Sequence, residues 1–293
     1  MIFTLSCSNK PKSNIKYPIL LIPGYSSKSA VWETTGLVNY MQQRGLVYGG
    51  KLRVNNKRRI VADRILKGNI DFFSLSYSDS VQKIDFLEKE LEKAIKYVKN
   101  KTRAKQIIIV AYSMGGLVSR SYLTKHVKKP FVSTLITIDT PHKGSYLADI
   151  AKTSSVLLRD KYLDFLSENM GIPIDGKAID DLMSEENNQF LMKLNHSPHP
   201  KNINYISIIG VEKNTQSISS FFSKNFGFST YEGDLVCSQT SQNMKNINWF
   251  QQHPPVNMGV KIIEGVNHLS VLNHYQTIFT VMNNYIVPIT KNN

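Results

Sequence analysis

Continuous apolar runs along the chain alternate with segments in which apolar residues recur every three or four positions. The runs occupy residues 18–22, 72–77, 106–110, 134–138, 203–209 and 260–263. Short runs of this kind are typical of strands that are buried on both faces of a parallel sheet. The segments at 81–98, 117–123 and 271–285 have the apolar spacing of amphipathic helices. Together they predict an α/β fold built on a mostly parallel, doubly wound sheet.

Residues 143–203 break this alternation. The segment is too long for a simple crossover between strands, and both of its halves carry helical patterns. We therefore predict a helical insertion that lies over the sheet as a lid or cap. Gly171, Pro173 and Gly176 mark a turn that would serve as a hinge in a mobile lid, whereas a fixed cap fits the same pattern.

Length and composition agree with a single globular unit. The chain has 293 residues, of which 41% are hydrophobic and 20% charged, so it is long enough to bury a sizeable core. We predict a polar tether over 1–16, followed by one domain over 17–293 that contains the insertion. The chain has no run of about 18 apolar residues, which argues against a transmembrane helix.

The net charge of +14 favours contact with anionic surfaces. The densest basic run lies within 51–67. No aromatic residues interleave with it, so it is not a platform for stacking bases, and we expect no nucleic-acid partner. A solvated excursion between core elements is the first interpretation of this run, and contact with an anionic membrane surface is the second.

The N-terminus combines a short apolar run, Ser6-Cys7 and a polar stretch. This pattern resembles the end of a bacterial lipoprotein signal, and it predicts a secreted protein or one held at a membrane through lipidated Cys7. An untidy terminus with an incidental cysteine, in a cytoplasmic protein, is the alternative. The only other cysteine is Cys237, which excludes a disulfide framework although not a single bridge.

The strongest chemical signal is Ala111-Tyr112-Ser113-Met114-Gly115-Gly116, between a predicted strand and a predicted helix. This is the setting of a nucleophile elbow, whose sharp turn needs small residues two positions before and after the serine. Ala111 and Gly115 meet that need. The turn lifts the Ser113 hydroxyl clear of the sheet and directs the N–H of Met114 at the carbonyl oxygen of a bound ester. A glycine-rich turn alone would not explain the exposed serine.

A second donor for that oxygen is expected in the loop after the first strand, Pro23-Gly24-Tyr25-Ser26-Ser27. Gly24 allows the backbone to approach a substrate closely, and Tyr25 would supply the N–H. An ordinary strand-to-helix turn is the alternative interpretation of this loop.

In hydrolases with such an elbow, an acid and a histidine follow the serine in chain order. His268 is the candidate base because it follows the last predicted strand and precedes the final helix. Asp234 is the candidate acid, since a carboxylate there would accept a hydrogen bond from the imidazole and fix its tautomer. Asp139, at the end of an earlier strand, and Glu232 are rival acids, and His142 is a rival histidine.

These stretches resemble the bacterial lipases of the α/β-hydrolase superfamily whose elbow reads A-x-S-x-G. The elbow, the Pro23-Gly24-Tyr25 loop, the turn over 137–145 and the loops around Asp234 and His268 carry the resemblance. It covers most of the chain, and it implies an α/β-hydrolase fold that cleaves acylglycerols or similar lipid esters.

The chain departs from the lipase pattern at three places. Pro23 stands where many members have histidine, and Asp139 stands where glycine is usual. Some relatives bind a structural calcium ion through an aspartate at the position that is Ser270 here. We therefore expect no metal site.

The expected mechanism is that of a serine hydrolase. His268 takes the proton of Ser113 as it attacks an ester, the N–H groups of Tyr25 and Met114 hold the oxyanion, and water hydrolyses the acyl-enzyme. No metal or organic cofactor is needed. An acyltransferase, thioesterase or lipid-glycan deacylase would use the same residues, and a non-catalytic binding protein on this fold is a third reading.

Overall fold

The computed structural model describes residues 15–27, 30–66, 68–153, 176–212 and 232–286. The strands in these residues are β1 (Ile19–Ile22), β2 (Tyr48–Val54), β3 (Ile60–Ala62), β4 (Phe72–Ser76), β5 (Ile107–Tyr112), β6 (Val132–Ile138), β7 (Asn204–Val211) and β8 (Asn257–Glu264). They form one sheet in the order β3-β2-β4-β1-β5-β6-β7-β8. Only β2 and β3 pair antiparallel among them, which confirms the predicted mostly parallel sheet.

Helices cover both faces of the sheet. Those in the described residues are α1 (Val31–Thr34), α2 (Leu37–Gln43), α3 (Ile84–Thr102), α4 (Met114–Lys125), α5 (Tyr146–Thr153), α6 (Ile179–Leu182), α7 (Gln189–His196), α8 (Gln239–Gln242), α9 (Asn248–Gln252) and α10 (Tyr275–Ile286). Short 3-10 turns lie at Glu185–Asn187, Met244–Asn246 and Val271–Asn273. Within the described residues, no helix is both long and apolar enough to cross a bilayer.

The apolar run of β1 is a strand because each of its two faces meets a helical layer. In β1, Leu20 and Ile22 point into the core layer formed with α3 and α4. Ile19 and Leu21 point into the opposite layer, formed with α2 and α10. All four side chains are fully buried, which confirms the doubly wound arrangement.

The basic run within 51–67 is a strand-forming segment whose basic side chains lie toward solvent where the structure describes them. It forms the edge hairpin of β2 and β3, in which Arg53 is paired with Val61. Leu52 is fully buried and packs in the core, whereas its neighbours Lys51 and Arg53 lie toward solvent. The expected solvation of the basic side chains is confirmed, whereas the hairpin was not predicted because basic residues occupy the outward positions of a strand with few apolar residues.

The insertion over 143–203 is helical where the structure describes it, with α5, α6 and α7. Gly171 and Pro173 of the predicted hinge lie outside the described residues, as do Cys7 and residues 1–14 of the predicted tether. The N–H of Lys16 donates to the carbonyl of Ile286.

Candidate active site

Ser113 occupies a sharp turn between β5 and α4. Its backbone has φ 52° and ψ −129°, a conformation that L-residues rarely adopt and that persists only when surrounding contacts impose it. The N–H of Ser113 donates to the carbonyl of Ile138 over 2.8 Å, and the Thr140 hydroxyl donates to the carbonyl of Ser113 over 2.8 Å. A side chain at Gly115 would stand 2.5 Å from the Pro23 carbonyl oxygen. The elbow therefore needs glycine there because β1 passes so close.

His268 lies in the loop after β8 with both ring nitrogens engaged. Its Nε2 is 2.9 Å from the Ser113 Oγ, and its Nδ1 is 2.5 Å from the Asp234 Oδ2. The Tyr112 hydroxyl donates to the carbonyl of His268 over 2.6 Å, and the N–H of His268 donates to the carbonyl of Asp234 over 2.8 Å. These two hydrogen bonds fix the backbone of His268 and thereby the position of its ring.

Asp234 is fully buried in the loop that follows β7. Its Oδ1 accepts from the N–H groups of Val236 and Cys237, over 2.9 and 2.8 Å. Its Oδ2 also accepts from the Cys237 thiol over 3.5 Å. The structure therefore brings Ser113, His268 and Asp234 into one hydrogen-bonded line. The backbone N–H groups of Val236 and Cys237 hold the carboxylate in the orientation that reaches the imidazole.

Neither rival acid hydrogen-bonds the imidazole of His268. Asp139 is close, with its Oδ2 4.0 Å from the His268 Nδ1, but that is beyond hydrogen-bond distance. Its Oδ1 accepts from the N–H of Gly210 over 2.6 Å. Glu232 is exposed.

The rival histidine, His142, belongs to a buried polar cluster around Arg120. The guanidinium lies 2.7 Å from the Asn195 Oδ1, 3.3 Å from the His142 Nδ1 and 3.3 Å from the His199 Nε2. Burial lowers the pKa of Arg120 to about 9. Burial, followed by the charge of Arg120, lowers the pKa of both histidines well below the usual value. His142 is therefore a neutral structural residue at pH 7.

The loop after β1 reaches the candidate nucleophile directly. A Cβ atom on Gly24 would stand 2.8 Å from the Ser113 Cβ, so the backbone at Gly24 passes against the serine side chain. Tyr25 is the next residue, and its hydroxyl accepts from the N–H of Gly176 over 3.1 Å. Met114 is the first residue of α4, where a backbone N–H has no partner within the helix. Tyr25 and Met114, whose N–H groups are the predicted oxyanion donors, thus belong to different elements next to Ser113.

Ser113 and His268 open into an apolar cleft of about 250 Å³. The insertion forms one wall through Leu147 of α5 and through Ile179 and Leu182 of α6. A larger, polar depression of about 680 Å³ includes Glu232 but none of the three residues of the hydrogen-bonded line. The smaller cleft is therefore where a substrate would meet the nucleophile.

Two groups of side chains in the described residues have the spacing of metal ligands: Asp234, Cys237 and His268, and Glu88, Glu92 and His126. In the first group, the carboxylate and the imidazole already hydrogen-bond each other. In the second, Lys96 pairs with one glutamate and Lys125 with the other. We assign a metal to neither group.

Sequence reasoning missed Tyr112 and Cys237, which hold His268 and Asp234 in place. Tyr112 fills the variable position of the A-x-S-x-G motif, so its type gives no signal. Only the fold shows that its hydroxyl reaches a residue that is 156 positions away.

The family model of the PGAP1-like alpha/beta domain matches residues 15–253. The chain belongs to this family. The match to the PGAP1-like domain includes the elbow and the Asp234 loop, and it ends before His268. The expected lipase-like α/β-hydrolase fold is confirmed.

Individual relatives of this PGAP1-like domain include named lipases. Triacylglycerol lipase 2 of Saccharomyces cerevisiae is 38% identical over 65 residues, which make up 22% of this chain and 20% of the yeast protein. The chain thus spans about a fifth of the length of that relative. The mature lipase BlEst2 of Bacillus licheniformis has a TM-score of 0.61 at 17% identity, over 93% of both chains.

Two further solved structures share the fold. The putative cell surface hydrolase of Lactobacillus plantarum has a TM-score of 0.56 at 18% identity, over 93% of this chain and 92% of its own. A soluble variant of yeast monoglyceride lipase has a TM-score of 0.50 at 14% identity, over 95% of this chain and 90% of its own. The three structures therefore share the fold of this chain.

Proposed function

We propose that this protein hydrolyses carboxylic esters through Ser113, His268 and Asp234. The observation that carries the proposal is the line of two short hydrogen bonds, 2.9 Å from Ser113 to His268 and 2.5 Å from His268 to Asp234. A buried carboxylate on Nδ1 leaves the lone pair of Nε2 directed at the serine hydroxyl, which is the tautomer a general base needs.

In the proposed reaction, Ser113 Oγ attacks the ester carbonyl while His268 Nε2 accepts its proton. The N–H groups of Met114 and Tyr25 stabilise the oxyanion, and Asp234 stabilises the imidazolium. His268 then protonates the departing alcohol. Water, activated by the same imidazole, hydrolyses the acyl-enzyme and restores Ser113.

We further propose lipid esters such as acylglycerols as substrates. The wall of the cleft beside Ser113 is apolar, from Leu147, Ile179, Leu182 and Leu272, and such a surface favours an acyl chain. The similarity to a yeast triacylglycerol lipase supports the same substrate class. A lipid substrate also suits a protein of net charge +14 at an anionic membrane surface.

The test is labelling with a fluorophosphonate probe, followed by kinetics with p-nitrophenyl esters. Ser113→Ala should abolish labelling, and Ser113→Ala and His268→Ala should each lower kcat roughly 10⁴-fold or more because the residues act as a unit. Ser197→Ala, at a half-buried serine whose hydroxyl donates to the carbonyl of Lys193, is the matched control. Full labelling of Ser113→Ala would refute the proposed nucleophile.

Two further measurements refine the proposal. Product analysis with water against an added alcohol acceptor separates hydrolysis from acyl transfer. Rate measurements with tributyrin across its solubility limit test whether the helical insertion moves. A jump in rate at the interface supports a mobile lid, and plain saturation supports a fixed cap.

A further inference from the structure

A second buried carboxyl group lies beside the pair of Asp234 and His268. Asp139 follows β6 and Asp234 follows β7, and these strands pair in parallel, so both acids leave the same edge of the sheet side by side. Both side chains are fully buried. The His268 Nδ1 is 2.5 Å from one carboxyl and 4.0 Å from the other. Two buried acids thus lie beside one histidine, and only Asp234 is hydrogen-bonded to it.

The two carboxyl groups receive very unequal hydrogen bonding. Asp234 accepts from two backbone N–H groups, the Cys237 thiol and the imidazole. Asp139 accepts from a single N–H, that of Gly210, and no described residue donates to its Oδ2. A buried carboxylate oxygen without a donor is costly, whereas a protonated oxygen needs only an acceptor. The neighbouring acceptor is the carboxylate of Asp234, because both carboxyl groups lie within 4.0 Å of the same imidazole nitrogen.

The charges around the pair also favour one proton on Asp139. Burial, and then the negative charge of Asp234, raise the pKa of the Asp139 carboxyl well above its usual range. Tyr112 and Cys237 face the same pocket, and burial raises the pKa of each above its usual value, so both are neutral. Among the described residues, His268 is the only basic side chain within 4.0 Å of either carboxyl.

We propose that Asp139 is a protonated positioning residue, whose carboxylic acid donates a hydrogen bond to the carboxylate of Asp234. The two acids then present a single negative charge to His268, and that charge sits on Asp234. The proton stays on Asp139 through the reaction. The catalytic role of this hydrogen bond rests on the proposed ester hydrolysis. The presence of a proton on Asp139 does not depend on that function.

Asp139→Asn is the informative variant. The Asn amide keeps an oxygen for the N–H of Gly210 and offers a donor to Asp234 without a charge. Asp139 has φ 48°, and Asn tolerates this left-handed conformation as well as Asp does. Asp71→Asn is the control. Asp71 is also buried and accepts from a backbone N–H, but it precedes β4 and so lies at the amino ends of the parallel strands, away from His268.

The location of the proton is measured by infrared difference spectroscopy at pH 7, wild type minus Asp139→Asn. The carbonyl stretch of a protonated carboxylic acid should be present in wild type and lost in the variant. A loss of carboxylate bands instead would overturn the proposal. This result does not depend on ester hydrolysis, so it stands even if the proposed function fails.

The role of the proton is measured from the pH profile of kcat/KM. In Asp139→Asn the acidic limb should stay where it is in wild type, as it should in Asp71→Asn. In Asp139→Ala the limb should move to higher pH, because Asp234 without its donor holds the imidazolium more strongly. If Asp139 were ionised, removing its charge 4.0 Å from His268 would move the Asp139→Asn limb down by about one pH unit or more. A downward shift in Asp139→Asn would refute the role of Asp139 as a neutral donor to Asp234. So would a loss of kcat/KM in Asp139→Ala that is the same at every pH.

Discussion

Replacing Gly24 by alanine tests whether the loop after β1 sets the position of the nucleophile. The new Cβ would stand 2.8 Å from the Ser113 Cβ, against 3.4 Å for the shortest ordinary contact. The serine or the loop must therefore shift by about 0.6 Å. The new Cβ would also lie 3.2 Å from Tyr112 Cδ1 and 3.3 Å from Ser27 Oγ, so it cannot move away from Ser113 without meeting another side chain.

A shift of that size acts on the 2.9 Å contact between Ser113 and His268 and on the distance to the oxyanion donors. A misplacement of about 1 Å costs an enzyme roughly 100-fold, so we expect kcat/KM for a p-nitrophenyl ester to fall by about 30- to 100-fold. Overpacking of this kind also destabilises a fold by about 1–3 kcal/mol. The free energy of unfolding is therefore measured beside the kinetics.

Gly45→Ala is the matched control. Gly45 has φ +85° with open space around its Cα, so alanine there brings backbone strain of about 1–2 kcal/mol without a collision. Gly45 precedes β2 and lies at the amino ends of the parallel strands, whereas Ser113 lies at their carboxyl ends. Both variants should lose similar stability in urea, and only Gly24→Ala should lose activity. Equal activity losses in the two variants, or full activity of Gly24→Ala, would show that contact with Ser113 is not what matters.

Three further predictions concern the cleft, the buried cluster and the N-terminus. Leu182→Phe narrows the cleft, so kcat/KM for a hexanoate ester should fall roughly tenfold relative to an acetate ester; an unchanged ratio would place the acyl chain elsewhere. His142 and His199 are neutral in the fold but protonate near pH 6.5 when unfolded. Their stabilisation is therefore full above that pH and is lost below it, by up to about 1.4 kcal/mol per pH unit for each histidine. In urea titrations between pH 7.5 and 5, His199→Gln should lower this slope, and an unaltered slope would contradict the assignment. Mass spectrometry of natively expressed protein should find lipid on Cys7, with at least one further membrane contact for stable attachment, and an unmodified Cys7 would exclude the anchor.

The parallel core and the elbow were predictable because both depend on local pattern. The strands β1, β5 and β6 are continuous apolar runs, and the elbow combines a strand, a turn with small residues and a helix over a few positions. The hairpin of β2 and β3 was not predictable in the same way. Gly49 and Gly50 replace apolar residues there, and a Cβ on Gly49 would collide with the Phe73 ring. β2 forms because Gly49 leaves room for the Phe73 ring of a neighbouring strand, and the sequence of β2 alone does not indicate that contact.

The chain order of Ser113, Asp234 and His268 predicted a set of residues that the fold brings together. The choice between Asp139 and Asp234 could not be made with the same assurance, since each acid follows a strand and the two strands are neighbours. Which carboxyl reaches the imidazole depends on the turn over 233–238, where Val236 and Cys237 bond to the carboxylate. Backbone geometry of that kind is set by tertiary contacts.

The buried guanidinium of Arg120 has a consequence for how the molecule opens. It joins α4, which begins at the elbow, to Asn195 of α7 and to His199, both near the end of the insertion. Separating these segments would leave a cation and its acceptors without partners in a dry interior, so the separation requires solvent to enter the core. In amide hydrogen exchange, α4 and α7 should therefore exchange as one cooperative unit, and any local opening of the insertion has to stop before α7.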